Sequence, residues 1–276
     1  MQFISRLRQL ATRILYRFNP GDITIKHHYT REKILLHSFR HKGYWAHGRS
    51  RERNSMGLFP SLIRPGDFVI EVGGHIGYIS MYFAQLVGLD GRVLVFEPGP
   101  NNLPYIRKNI ATHGNISLIE KAASDFLGTA CLHIETFSGQ NNSLLDHNRI
   151  LEANLRNAGF RGIPTYIAEV NCTTVDAALT EAGLPAPSFV KIDVEGAELS
   201  VLRGMKETLR HEDVALMVEV TEDHAPIYSF LKDHGYLLFD DRKMPIDEVQ
   251  KIGGNVFCIR KNSPRADLFQ SRVRGA

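Results

Sequence analysis

From Pro65 onward, short runs of β-branched and aromatic residues alternate with stretches whose apolar residues recur at helical spacing. No other feature restricts the fold as much. Strands are predicted over residues 68–72, 92–96, 116–122, 189–193, 214–220, 236–239 and 256–259, with helices beginning near Ile76, Pro100, Thr174 and Gly196. Elements in that order bury their apolar faces most readily as an α/β fold, an open and mostly parallel sheet with helices on both faces. Two further β segments, at 130–135 and 165–172, bracket the polar run FSGQNNSLLDHNRILEANLRNAGF. That run is read as an insertion over the carboxyl edge of the sheet.

Size and composition limit what such a sheet can serve. A chain of 276 residues, 43% hydrophobic and 23% charged, is ordinary for a soluble globular protein and long enough for a substantial core. It contains no run of about 18 apolar residues that would span a bilayer. The net charge of +3 comes from dispersed residues, so no nucleic-acid partner is expected. Cys131, Cys172 and Cys258 are widely separated and form no CxxC pair. Neither a disulfide framework nor a cysteine zinc site is supported, and a reducing, cytoplasmic location fits best.

Three parts are expected: an N-terminal helical extension over 1–64, an α/β domain over 65–262 and a polar tail over 263–276. In MQFISRLRQLATRILYRF the apolar residues share one helical face, and Arg6, Arg8, Arg13 and Arg17 flank or oppose it. Such a basic amphipathic helix suits packing on its own domain, a second subunit in a homo-oligomer, or peripheral contact with an anionic membrane. Removal as an organelle-targeting peptide is a further reading. Residues 29–62 are read as helical and polar, with His37 and His41 one turn apart on a solvated face.

The stretch FVIEVGGHIGYISMYFAQL raises the question of which ligand its glycine turn holds. A dinucleotide fingerprint ending at Gly77 needs glycine at position 72, where Val72 stands, and no Gly-Lys-Ser/Thr follows to make a P-loop. The pattern is Glu71-x-Gly73-Gly74-x-x-Gly77. It suits a backbone cradle for a cofactor bearing a carboxylate and an amine, with amides meeting the carboxylate and Glu71 meeting the amine or ordering the turn. His75 is read as a cofactor contact or as a residue that orders the loop. Glu97, ending the second strand in VLVFEPGP, can accept the hydroxyls of an adenosine ribose. Asp125, with Ser124 beside it in KAASDFLG, follows the next strand and can accept the adenine amino hydrogen. Three acids with displaced glycines favour S-adenosylmethionine over NAD.

The fourth strand ends in VKIDVEGAE, where Asp193 and Glu195 emerge at the sheet edge that binds ligands in open α/β folds. These four ordered motifs resemble the FkbM-type family of class I S-adenosylmethionine-dependent methyltransferases over residues 65–259. The resemblance implies a Rossmann-like seven-stranded sheet with an antiparallel last strand. It also implies O-methylation of a hydroxyl on a sugar, glycan, lipid or natural product, so a small-molecule or glycan acceptor is expected. It places cofactor contacts on Gly73, Gly74, Gly77, Glu97 and Asp125, and the strand-four acids on Asp193 and Glu195. The family's first motif more often reads Asp-x-Gly-Ala-Asn-x-Gly. Here Glu71, one methylene longer, and Gly74-His75 depart from it.

A hydroxyl is a weak nucleophile, so a base or a divalent metal near it would help the transfer. Asp193 is the first candidate for the base, Glu195 the second and Glu219, in LMVEVTEDH, the third. Asp193 and Glu195 also offer oxygen ligands for Mg²⁺. His224 is read as a possible lining residue of the acceptor pocket. The alternatives are an NAD-dependent oxidoreductase, which would also use Glu97 but lacks the required glycine at position 72, and a noncatalytic membrane- or partner-binding module, which explains the arginine-rich helix but not the four motifs.

Overall fold

The computed structural model describes residue 14 and residues 16–136, 138–145 and 165–271. The amphipathic reading of the first 18 residues, with the membrane and subunit contacts expected of it, lies mostly outside them. Ahead of the sheet come β1 (Asp22–Lys26), β2 (Lys33–His37), α1 (Lys42–His47) and α2 (Arg53–Leu62). Seven strands then form one sheet in the order β11, β12, β10, β9, β3, β4, β5. They are β3 (Phe68–Val72), β4 (Arg92–Phe96), β5 (Ile116–Ile119), β9 (Phe189–Ile192), β10 (Ala215–Val220), β11 (Tyr236–Phe239) and β12 (Gly254–Arg260). Neighbouring strands run parallel except β12, which is antiparallel to both β10 and β11. This is the predicted Rossmann-like sheet.

Helices α3 (Tyr78–Val87) and α4 (Leu103–Ile110) follow β3 and β4. Helices α5 (Val175–Ala182), α6 (Glu198–Arg203) and α7 (His224–Asp233) connect the later strands. The two faces carry separate cores. Val69, Phe189, Met217 and Phe257 pack with Phe59 of α2 and Phe83 of α3, while Ile70, Val190, Leu216 and Val218 pack with Leu179, Leu202 and Ile227 on the opposite face. Every residue of β3 and β9 is buried, which explains why these strands read as almost continuous apolar runs. A smaller sheet, formed by β6 (Ala122–Ala123), β7 (Gly128–Glu135) and β8 (Thr165–Thr173), stands beside β5 in sequence. The strand predicted over 116–122 is therefore two strands that belong to different sheets.

The stretch read as helical over 29–62 is only partly so. Asp22–Lys26 and Lys33–His37 pair as an antiparallel hairpin, because Ile34 and Leu36 alternate with more exposed residues and insert into the core. Histidine side chains hold its turns. The ring Nδ1 of His27 accepts from the amides of Tyr29 and Thr30, and that of His37 accepts from Phe39 and Arg40. His41 is not on a solvated face: it is buried, and its Nδ1 accepts from the His37 amide at 2.9 Å.

The predicted polar tail contains helix α8 (Pro264–Ser271), which buries Ala266 and Phe269 against the core. Arg265, 3% exposed, donates to both carboxylate oxygens of Asp67, at 2.9 and 3.0 Å, and to the Leu62 carbonyl. The pairing ties the end of the chain to the turn that leads into β3. Removing one partner of a buried ion pair leaves the other desolvated, so Arg265→Ala should lower stability by about 3–5 kcal/mol in a denaturant titration. A change below about 1 kcal/mol would show that α8 is not part of the folding unit.

Candidate active site

The carboxyl ends of β3, β4, β9 and β10 converge on a cavity of about 310 Å³. In chain order the sheet grows from β3 to one side through β4 and β5, then resumes on its other side at β9. This reversal of strand order opens the crevice where α/β sheets bind ligands.

The glycine loop forms the floor. Gly73 has φ +91°, and a Cβ there would lie 1.9 Å from the Asp193 carbonyl oxygen. A Cβ on Gly74 would lie 2.3 Å from a methyl of Val95. The amides of Gly73 and Gly74 both donate to the Phe96 carbonyl at 3.0 Å. The need for glycine at 73 thus comes from the approach of the loop to β9, where the sequence suggested an approach to ligand. Gly77 has φ +85° and caps α3.

Glu97 fastens this loop to the start of α4. Its Oε2 accepts from the His75 amide at 2.7 Å, and its Oε1 accepts from the Gly99 amide at 2.8 Å and from Asn102 Nδ2 at 3.1 Å. A carboxylate has about four lone-pair sites, so three protein donors leave room for about one more. Burial raises its pKa to about 7 despite those bonds. Glu71, 1% exposed, accepts from the Ser80 hydroxyl, and burial raises it likewise to about 7.

His75 lies in the loop with φ +48°. Its Nε2 is 3.2 Å from the Ser138 carbonyl, which fixes Nε2 as the donor, and Nδ1 then accepts from the Tyr44 hydroxyl at 3.0 Å. Burial lowers its pKa to about 3, so the ring is neutral. One histidine therefore joins the N-terminal segment, the glycine loop and the inserted run. Residues 138–145 do stand at the sheet's carboxyl edge: Asn102 donates to the Gly139 carbonyl at 3.0 Å and the Ser143 hydroxyl to the Glu195 carbonyl at 2.7 Å.

Asp193 leaves β9 with a quarter of its side chain accessible. Lys191 Nζ, on the same strand face and 1% exposed, donates to its Oδ2 at 2.9 Å and holds its pKa below the usual carboxylate range. Glu219 of β10 lines the same cavity, and the charge of Asp193 together with burial pushes Glu219 up to about 10. Glu195, in the following turn with φ +53°, also lines the cavity, and burial raises it to about 8.

Asp193, Glu195, Glu219, Glu71, Gly73, Gly74, His75 and Glu97 all line the cavity. Asp125 does not: it is exposed, the neighbouring buried Ser124 packs its carbonyl against Gly204, and Ala122 and Ala123 take the wall expected of them. His224 begins α7 and likewise lies outside the lining. Sequence reasoning missed Lys191, Tyr44, Arg51 and Asn255 as cavity residues. A lysine within an otherwise apolar strand was a readable signal for the first. The other three arrive through tertiary packing.

The donor set does not fit Mg²⁺. Asp193 Oδ2 already faces an ammonium, and Glu219 holds a proton where a hard cation needs an ionised oxygen. Among the described residues, no three His, Cys, Asp or Glu side chains group as a metal site.

Burial has opposite effects on the stability of the acids and the histidines. Glu71, Glu97 and Glu198 are raised to about 7 and Glu195 to about 8, so folding binds protons at these groups above their unfolded pKa. Their stabilisation is full below that value and is lost as pH rises through 7 to 8. His27 and His75 are lowered to about 4 and 3, so their contribution is complete once pH exceeds their unfolded value and is lost on acidification. The two groups oppose each other below about pH 6.5, and the acids alone remain above it. The melting temperature of the ligand-free protein should fall by several degrees between about pH 6.5 and 8. A rise over that interval in scanning calorimetry would contradict the assigned protonation states.

A family model described as the methyltransferase FkbM domain matches residues 71–238, more than half of the chain. Over 193 residues the chain is 26% identical to the 31-O-demethyl-FK506 methyltransferase FkbM of Streptomyces tacrolimicus, covering 63% of this chain and 74% of that protein. Over 187 residues it is 24% identical to the 2-O-methyltransferase NoeI of Sinorhizobium fredii, covering 66% and 76%. Among solved structures, methyltransferase FkbM from Methylobacillus flagellatus KT superposes with a TM-score of 0.46 at 13% identity, over 74% of this chain and 50% of that chain. The four ordered motifs, their gathering at one sheet edge and the family match lead to one assignment: the chain belongs to the FkbM family of S-adenosylmethionine-dependent methyltransferases.

Proposed function

We propose that the protein methylates a hydroxyl oxygen of a hydroxyl-rich acceptor of the sugar, glycan, lipid or natural-product type. The observation that carries this reading is an ionised Asp193, paired with Lys191, in a cavity whose other polar lining includes side-chain amides and acids raised by burial. Gln140, Asn141, Asn142 and Asn255 also line it; Asn142 is engaged by the Glu135 amide and by Asn101, whereas Asn255 donates to the Ser55 hydroxyl at 2.8 Å and leaves its buried Oδ1 without a protein partner, an acceptor for an alcohol-bearing ligand. The names of two relatives, a 31-O-demethyl-FK506 methyltransferase and a 2-O-methyltransferase, specify oxygen as the atom methylated in those proteins.

The residues present suit the cofactor. The glycine loop exposes backbone close to the cavity, Glu97 has capacity for a further hydrogen bond, and Ala122, Ala123 and Leu132 give an apolar wall suited to an adenine ring. When bound, S-adenosylmethionine supplies an electrophilic methyl on a sulfonium, and the electron pair of the breaking carbon–sulfur bond stays on sulfur. The protein's task is then to orient the acceptor oxygen and exclude competing water, with positioning as the largest contribution. Asp193 accepts the hydroxyl hydrogen bond and takes the proton as the oxygen–carbon bond forms and that proton becomes acidic. Glu195, raised by burial, is neutral for much of the population near pH 7 and serves as a donor to the acceptor.

Two substitutions separate binding from chemistry. Glu97→Gln loses a charge-assisted set of hydrogen bonds, so cofactor affinity should fall roughly ten- to a hundredfold by calorimetry. Asp193→Asn should leave cofactor affinity within several-fold while turnover, followed as labelled methyl transfer to an identified acceptor, falls by about two to four orders of magnitude. EDTA should change neither quantity. Equal losses of affinity and turnover in Asp193→Asn would reassign Asp193 to cofactor binding.

A further inference from the structure

We propose that Lys191 is the positioning residue of the transfer: its buried ammonium holds Asp193 as the carboxylate and leaves the one proton of the Asp193 and Glu219 pair on Glu219. This rests on the reading of Asp193 as the acceptor of the hydroxyl proton.

The buried ammonium of Lys191 has Glu71 in register beside it and Asp193 as its hydrogen-bonded side-chain partner. The residue is the third of four in β9, in register between Glu71 of β3 and Met217 of β10. Its same-face neighbours Val69, Phe189 and Met217 are core residues, and an apolar side chain at 191 would continue that core. A cation is expensive to bury unless it is paired, and Lys191 is 1% exposed. Across the strand, Glu71 receives the Ser80 hydroxyl, whereas Lys191 Nζ donates to Asp193 at 2.9 Å.

The parallel register of β9 and β10 ends with Ile192 beside Val218, so the next residue of each chain segment, Asp193 and Glu219, leaves the same end of the sheet, and both line the cavity. Two carboxylates brought together at one sheet edge in an enclosed site disfavour each other's ionisation, so the pair carries one proton. An ammonium touching one member of the pair decides which member holds it. The other charged or titratable groups lining the cavity with this pair are Glu71 from β3, Glu97 from β4, Glu195 from the turn after β9, His75 from the glycine loop, Tyr44 from α1, Tyr78 from α3, and Arg51 with Glu52 from the segment before α2. Of the two cations, Arg51 is engaged by Glu52 at 3.1 Å and lies over the Tyr44 ring, leaving Lys191 as the hydrogen-bonded partner of Asp193. Asp193 is thereby ready to accept a proton on binding the acceptor, and Glu219 buttresses it as a neutral donor.

The test is site-resolved carboxyl carbon NMR of the full-length, ligand-free protein between pH 5 and 9, with labelled Asp and Glu. Asp193 should be ionised throughout, and Glu219 should remain protonated past pH 8. In Lys191→Met the midpoint of Asp193 should rise by about one to three pH units while Glu97 keeps its own titration. Lys191→Arg should restore the Asp193 titration, which a purely structural role for the amine would not require. An unmoved Asp193 midpoint in Lys191→Met overturns the proposal. If that variant does not fold, wild-type spectra with the proton on Asp193, or an Asp193→Asn protein in which Glu219 fails to ionise more easily, overturn it equally. These spectra need no acceptor. Turnover retained by Asp193→Asn would remove the base assignment and leave the protonation pattern standing, so the two failures are distinguishable.

Discussion

The approach of the glycine loop to β9 is the constraint on which the site depends. With no side chain at 73, the turn leaving β3 passes directly against the Asp193 backbone, and the Asp193 amide donates to the Val72 carbonyl at 3.0 Å. This contact aligns the ends of the two central strands, so that Glu71 and the loop stand beside the Lys191 and Asp193 pair. Gly74 does the same for β4, whose Val95 fills the space a side chain would take. A larger residue at either position would separate the strand ends and disperse the cofactor and acceptor sides of one cavity.

The electrostatics of the cavity follow from that convergence. Glu71, Glu97, Glu195 and Glu219 are raised chiefly by burial or by the neighbouring charge of Asp193, while Lys191 and Arg51 supply fixed positive charge. Acids held near neutrality act as hydrogen-bond donors as well as acceptors, which suits a ligand set rich in hydroxyls. The single carboxylate held firmly ionised is the one closest to a buried ammonium. Environments that push neighbouring carboxyl groups apart in pKa are how one site obtains both a proton acceptor and neutral donors.

Much of this was legible in the sequence where local pattern and tertiary demand agree. Strands β3 and β4 match their predicted bounds, since buried parallel strands read as apolar runs and Gly73 and Pro98 end them sharply. Glu97 and the acids after β9 were legible because a polar residue at the end of a buried strand needs a partner, and the glycines because their spacing marks a tight turn. The N-terminal hairpin was not, because histidines, not the usual turn residues, satisfy its turns. Tyr44 and Arg51 were illegible as site residues because only packing of α1 and the following turn over the sheet brings them to the cavity. Asp125 looked correct by order along the chain, yet the path of the chain after β6 turns its side chain to solvent.

The central claim is that one cavity, at the carboxyl ends of β3, β4, β9 and β10, holds the cofactor with its reactive methyl toward Asp193. A crystal structure of the protein with S-adenosylmethionine bound tests it most directly. The account predicts the ribose at Glu97, the adenine against Ala122 and Ala123, and the methyl group facing the Asp193 carboxylate. A cofactor bound with Glu97 remote from the ribose, or with its methyl directed away from Asp193, would contradict it.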